Sequence, residues 1–333
     1  MKPARLSTLL LLLALAVPLQ AGYLERPEAR SLIEELVQQG LDRASVEQAL
    51  ARAERKQSIL DAIARPAESR PWYQYRPIFL TDARIDGGVR FWNRHAAVVE
   101  RAAREFAVDP AIIVAIIGVE TFYGRHTGNY RVLDALATLG FDYPKRAGFF
   151  RRELGQFLIL AHEEGWPAER PKGSYAGAMG LGQFIPSSYR AYAVDFDGDG
   201  KRDLWNAADA IGSVANYFHR HGWRQGETVA VPAIVRGAVR TELVRGVKPA
   251  YSLRQLATEG VRPRRLPRGD GPFALIELEG KTGPEFWIGL HNFYVITRYN
   301  RSPLYAMAVL QLSQAIRERR QARQQAETGG GAG

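Results

Sequence analysis

The chain has 333 residues, 46% hydrophobic and 24% charged, enough apolar material for a sizeable core and two or three subdomains. It has no cysteine, which excludes disulfides, cysteine-ligated metals, thiol catalysis and a lipid-modified N-terminal cysteine. The formal net charge is +10, a surface that favours anionic partners.

Lys2 and Arg5 precede an apolar run from Leu6 to Val17, and Leu19, Gln20 and Ala21 put a small residue before a cut. That pattern predicts a secretory signal peptide, residues 1–21, cleaved after Ala21. Lys2 and Arg5 carry two of the ten charges, so the mature chain carries +8. An exported chain rarely meets nucleic acid, so an anionic cell-wall polymer or membrane surface is the expected partner. No other apolar run is long enough to cross a bilayer.

Residues 27–64 predict two or three short amphipathic helices, with Leu32, Ile33, Leu36, Val37, Val46 and Leu50 as the buried stripe. Pro71 and Pro77 argue against regular helix from Arg70 to Phe79. That segment is dense in aromatics and reads as a packing strap, with sugar stacking as the alternative. Gly87 to Phe106 predicts one long helix leading to the sequence Asp109–Arg125.

Asp109 and Pro110 form a helix start, the first as cap and the second at a position that needs no N–H. Ala111 to Val119 is uninterrupted apolar sequence, so this helix should be buried on most sides. Glu120 stands at its end beside Phe122 and Tyr123. A carboxyl there should lose hydration, which disfavours the charged form and suits a general acid. The alternative is a cap that points to water.

Val132–Leu139 predicts a short helix closed by Gly140, and Gly148–Gly165 another. Lys172 to Tyr189 reads as a Gly-rich loop feeding a helix, without the spacing or the preceding strand of a dinucleotide fingerprint. No bound organic cofactor is expected.

Asp195, Asp197 and Asp199 alternate, with Gly200 in the sixth position. That is the front half of a calcium loop, in which carboxylates supply hard oxygens and glycine the sharp turn. Lys201 would offer its backbone carbonyl. Asn206 holds the twelfth position, and a longer loop would close on Asp209 at the fifteenth. Ala207–His221 predicts a helix. Short β-rich runs follow at Thr228–Val231, Ala233–Val235 and Phe273–Leu278. Pro284 onward reads as helical again, Ser302–Arg320 as a terminal helix, and the tail from Gln321 as disordered.

The expected organisation is therefore α+β, mainly α. A helical subdomain over 22–70 precedes a catalytic core over 71–223, with the calcium loop at 195–209. A small β subdomain covers 224–286, C-terminal helices 287–320, and a tail 321–333.

Four blocks, Gly118–Arg125, Gly173–Tyr189, Asp195–Phe218 and Asn292–Asn300, together resemble the B-type lytic murein transglycosylases of Gram-negative bacteria. The resemblance covers nearly the whole mature chain. It implies a lysozyme-like helical core and cleavage of peptidoglycan between N-acetylmuramic acid and N-acetylglucosamine, with a 1,6-anhydro ring formed on the muramic acid. Carried over residue by residue, it implies Glu120 as the catalytic acid and Ser174, Gln183, Tyr75, Tyr217 and Tyr294 as substrate-binding residues. It also implies Asp195, Asp197, Asp199, Lys201 and Asp209 as ligands of a structural calcium ion. Without a cysteine to acylate, the chain looks like a soluble periplasmic relative with no lipid anchor. The expected partner is the glycan strand, with cell-wall synthesis or divisome proteins as candidate protein partners and the chain itself a monomer. Asp134 and Asp142 are the acids that a lysozyme-like hydrolase of the same bond would recruit. A non-catalytic, calcium-stabilised peptidoglycan-binding protein is the other alternative.

Overall fold

The computed structural model describes residues 22–64 and 70–329, so the signal-peptide segment lies outside the described residues. The N-terminal helices are α1 (Pro27–Gln38), α2 (Arg43–Ala51) and α3 (Gln57–Ile63). Ala29, Leu32, Ile33 and Leu36 recur at helical spacing and are the buried face of α1. Asp42 caps α2 by accepting from Ser45 N–H at 2.9 Å.

Helix α4 (Trp72–Phe79) corrects the expectation that the prolines preclude helix. Pro71 sits at the N-cap, where no intrahelical donor is required. Pro77 removes one bond only two residues before the helix ends, and burial of Trp72 and Tyr75 decides the conformation. The burial of those two rings fits the strap reading.

The predicted helix from Gly87 is in fact two, α5 (Asp82–Arg94) and α6 (Ala96–Phe106), broken at His95. Helix α7 (Pro110–Thr121) runs through the centre, and Ala111 to Gly118 are all buried. Strands β1 (Tyr130–Arg131) and β2 (Lys172–Gly173) pair antiparallel and flank α8 (Val132–Asp142) and α9 (Ala147–Glu163). Helix α8 runs past Gly140, whose missing Cβ admits the backbone of Arg151. Next come α10 (Pro186–Tyr192) and α11 (Ala207–Arg220).

The β-rich region folds as β3 (Ala230–Val235), α12 (Thr241–Val244), α13 (Leu253–Thr258), β4 (Val261–Pro263), β5 (Ala274–Glu279) and β6 (Pro284–Gly289). The sheet order is β4-β3-β6-β5, antiparallel throughout. It has its own small core, including Val231, Leu243, Leu256 and Ile288. Strand β6 replaces the helix expected from Pro284. Proline is tolerated at the first strand position, and Phe286, Trp287 and Ile288 suit a pleated surface.

Helices α14 (His291–Tyr299) and α15 (Pro303–Gly329) complete the chain. The tail expected to be disordered from Gln321 is helical through Gly329. Arg319 and Arg323 both reach Asp86 of α5, at 2.8 and 2.7 Å, which ties the end of α15 to the core.

Candidate active site

Both ends of α7 are tethered. Asp109 accepts from Ala111 N–H at 2.9 Å and pairs with Arg317 of α15. At the other end Phe122, Tyr123 and Gly124 follow one another with φ of 51°, 61° and 87°. Two left-handed non-glycine residues cost on the order of 1 kcal/mol or more each, so surrounding contacts must hold them. Tyr123 Oη donates to Arg84 O at 2.8 Å. Its ring fills a slot between Gly87, Gly88 and Gly118, and a Cβ on Gly118 would stand 2.6 Å from Tyr123 Oη. Arg84 and Arg125 lie over the Phe122 ring, 4.7 and 4.8 Å from its centre. The sharp exit leaves Glu120 half-buried, while its neighbour Thr121 is fully enclosed.

Thr121 joins this turn to the Gly-rich loop. Its Oγ1 donates to Leu181 O at 2.9 Å and accepts from Gly124 N–H at 3.0 Å. In the loop, Ser174 Oγ accepts from Ala176 and Ala178 N–H at 3.2 and 3.1 Å. Gln183 has φ of 52°, and its Nε2 donates to Gly180 O and Thr127 O at 2.8 and 3.1 Å. Gly128 is required where the chains cross, since a Cβ there would lie 2.0 Å from Gly173 O.

A group of tyrosines backs the carboxyl. Tyr305 is buried and donates from Oη to Glu120 Oε1 at 2.6 Å. Burial first, and then the charge of Glu120, raise its hydroxyl pKa well above the ordinary value, so Tyr305 keeps its proton. Tyr299 stacks parallel to Tyr305 with centroids 6.5 Å apart, donates to Gly182 O, and is likewise raised by burial and by Glu120. Tyr217 packs edge-on against Tyr299 at 4.7 Å and donates to Arg298 O at 2.6 Å. Tyr75 is buried and close enough to Tyr305 to influence its ionisation.

The rival acids are engaged elsewhere. Asp134 is 2% exposed, pairs with Arg131 at 2.7 Å and accepts from Glu54 N–H. Asp142 pairs with Arg26 and accepts from Tyr23 Oη.

In the acidic loop, carboxylate oxygens of Asp195, Asp197 and Asp209 lie within 4.8 Å of one another. Asp209 is fully buried; that burial, and lastly the charge of Asp197, raise its pKa, against three backbone N–H donors that lower it. A crowded, all-oxygen set, with Asp209 buried and Asp195 and Asp197 open to solvent, suits a hard cation such as calcium. Asp199 lies outside this trio, and its Oδ1 accepts from Lys201 N–H at 2.9 Å.

Residues 25–314 match the family model described as a transglycosylase SLT domain. The chain belongs to that family. Within it, the chain is a B-type lytic murein transglycosylase. It is 46% identical over 305 residues to the membrane-bound lytic murein transglycosylase B of Escherichia coli, covering 88% of this chain and 84% of that protein. Soluble lytic transglycosylase SltB1 of Pseudomonas aeruginosa is 52% identical, with a TM-score of 0.82 over 88% of this chain and 99% of that one. The E. coli lytic transglycosylase Slt35, solved in complex with calcium, is 46% identical, with a TM-score of 0.82 over 90% and 96%. SltB3 of P. aeruginosa, solved in complex with NAG-anhNAM-pentapeptide, is 32% identical, with a TM-score of 0.76 over 87% and 78%. The mainly helical, lysozyme-like class with a small sheet agrees with these relatives.

In this family member, Glu120, Gln183, Tyr75 and Tyr217 are linked through shared neighbours, and Ser174 shapes the loop beside them. The sequence does not single out Tyr305, which hydrogen-bonds Glu120, or Tyr299, which stacks on Tyr305. Tyr294 is half-buried on α14, five residues before Tyr299, which is about 140° round a helix and so a different face. No helix among the described residues is long and apolar enough to cross a membrane.

Proposed function

We propose that the protein is a peptidoglycan lytic transglycosylase that cleaves the bond from N-acetylmuramic acid to N-acetylglucosamine with Glu120 as its one catalytic acid. The observation that carries this reading is Glu120 at the end of a buried helix, held by the buried hydroxyl of Tyr305. The engagement of Asp134 and Asp142 elsewhere supports a mechanism without a second enzymic carboxyl.

Glu120 gives its proton to the glycosidic oxygen, the bond to the muramic anomeric carbon breaks, and the glucosamine leaves as an alcohol. Positive charge developing at that carbon faces the new Glu120 carboxylate. The carboxylate then removes the proton of the muramic 6-hydroxyl as that oxygen bonds to the anomeric carbon. The 1,6-anhydro ring closes and Glu120 regains its proton. The nucleophile is already tethered in the substrate, which gives it the advantage of proximity over water. The anhydromuramyl ligand of SltB3 supports this outcome.

Tyr305 holds Oε1 and so fixes the orientation of the carboxyl that meets the sugar. Ser174, whose oxygen already accepts two N–H bonds, retains its hydroxyl proton to donate to substrate. Gln183 uses Nε2 within the loop and offers its carbonyl oxygen. Tyr75, Tyr217, Tyr299 and Tyr305 form the wall behind them. One calcium ion in the 195–209 loop would be held by Asp195, Asp197 and Asp209 and would relieve their mutual repulsion. The basic-then-apolar start of the sequence supports export and action in the periplasm.

The test is mass analysis of products from purified sacculi. Wild type should release muropeptides ending in 1,6-anhydro-muramic acid, one water lighter than hydrolytic products. Glu120→Gln should still bind glycan and lose nearly all turnover, because an amide cannot donate the proton. Reducing ends as the main product would favour hydrolysis, and a fully active Glu120→Gln would remove Glu120 from the mechanism.

A further inference from the structure

A cavity of about 620 Å³ lies between the end of α9 and the exit of the acidic loop, and its lining shares no residue with the cluster around Glu120. Its position relative to the catalytic carboxyl follows from one backbone segment. Leu181 accepts from Thr121 Oγ1 through its carbonyl and donates through its N–H to Leu204 O at 2.8 Å. Thr121 adjoins Glu120, whereas Asp203 and Trp205, on either side of Leu204, line the cavity. The Gly-rich loop therefore stands between the catalytic carboxyl and this second cleft.

Two kinds of side chain line the cleft. Trp166 and Trp205 meet edge to face at 6.1 Å, and each is half-buried, so apolar indole surface is both fixed and accessible. Four cations, Arg170, Lys172, Lys201 and Arg202, face two carboxylates, Glu164 and Asp203. Arg202 is already paired with Glu164, while Arg170, Lys172 and Lys201 form no ion pair among the described residues. Indole faces suit the apolar faces of sugar rings, and uncompensated cations at a rim attract carboxylates.

We propose that this cleft is an accessory site for a carboxylate-bearing glycan, a second segment of peptidoglycan whose sugar rests on Trp166 and Trp205 while its peptide carboxylates meet Arg170 and Lys172. The proposal rests on the peptidoglycan reading above and adds a contact outside the catalytic groove. Such a contact keeps the enzyme on the polymer between cuts, since two weak sites on one polymer act at a high effective concentration.

The test is co-sedimentation with purified sacculi in the Glu120→Gln background, where cleavage does not alter the substrate. Arg170→Glu with Lys172→Glu reverses two exposed charges, and an unchanged melting temperature verifies the fold. Sacculus affinity should fall about fivefold or more, with a flatter dependence on salt. On glycan strands stripped of their peptides the double variant and its parent should bind alike, whereas Trp166→Leu should bind both polymers more weakly. Unchanged affinity of the double variant for intact sacculi overturns the proposal, as does an equal loss on stripped strands. Products of the wild-type protein are assayed separately. A failure to release anhydromuropeptides would overturn the catalytic reading without bearing on these binding measurements.

Discussion

The replacement Tyr305→Phe deletes one oxygen from a side chain that is 3% exposed and whose ring stacks parallel to Tyr299. The ring volume stays, so no cavity forms, and so little of the residue is accessible that sugar affinity should hardly change. What disappears is the 2.6 Å hydrogen bond to Glu120 Oε1. Such a bond contributes about 0.5–1.5 kcal/mol while the carboxyl is protonated and about 1.5–3 kcal/mol once it becomes charged during the reaction. If that bond holds the carboxyl in its reactive rotamer, its loss lowers kcat by about 10- to 100-fold with KM little moved. The fold loses on the order of 1 kcal/mol, a fall of about 3 °C in melting temperature for a protein of this size. The assay is the initial rate of soluble muropeptide release from sacculi, with a thermal melt on the same preparation. A variant within about twofold of wild type in kcat would refute the positioning role. A rate loss that tracks unfolded protein would do the same.

Gly118→Ala should destabilise the protein and slow it. The replacement would gain about 1 kcal/mol in an open helix, but here the added Cβ meets Tyr123 Oη at 2.6 Å and its Cε1 at 2.7 Å, and overpacking costs about 1–3 kcal/mol. A more stable, fully active variant would show that the slot does not hold the turn after Glu120. Calcium should raise the melting temperature of wild type, by about 2.7 kcal/mol of stability at 100 times the dissociation constant, and Asp197→Ala should abolish most of that rise. Full calcium-dependent stabilisation in the variant would remove Asp197 from the site. His221 stacks on Tyr217 at 4.0 Å, and burial first, then Arg298 and Arg220, lower its pKa below 6.5 against the bond to Tyr217 O. A depressed histidine binds its proton more readily in the unfolded chain. Its stabilising contribution is complete above 6.5 and lost as pH falls toward the lower folded value. Melting curves of His221→Gln should lose less stability than wild type over that interval, and identical pH dependence would exclude this contribution.

The central helix and its acid were legible because local chemistry states them outright. Asp109 and Pro110 mark the start, nine consecutive buried residues leave only the core as an environment, and Glu120 is the first charge after them. The acidic loop was legible for a similar reason, since alternate aspartates with glycine at the sixth position form a local pattern. Tertiary structure decided which of those carboxylates gather, bringing Asp209 from the next helix while Asp199 turns to Lys201 N–H. Tyr299 and Tyr305 could not be chosen from the sequence, because a tyrosine's role depends on which neighbour its hydroxyl reaches, and Glu120 lies 185 residues away from Tyr305. The same limit governs the backbone. Local sequence sets Pro77 against helix and Pro284 toward it, yet burial of Trp72 and Tyr75 imposes helix on the first and pairing with β3 and β5 imposes strand on the second. Local propensities amount to about 1–3 kcal/mol per residue, and a buried aromatic or a completed ladder is large enough to override them.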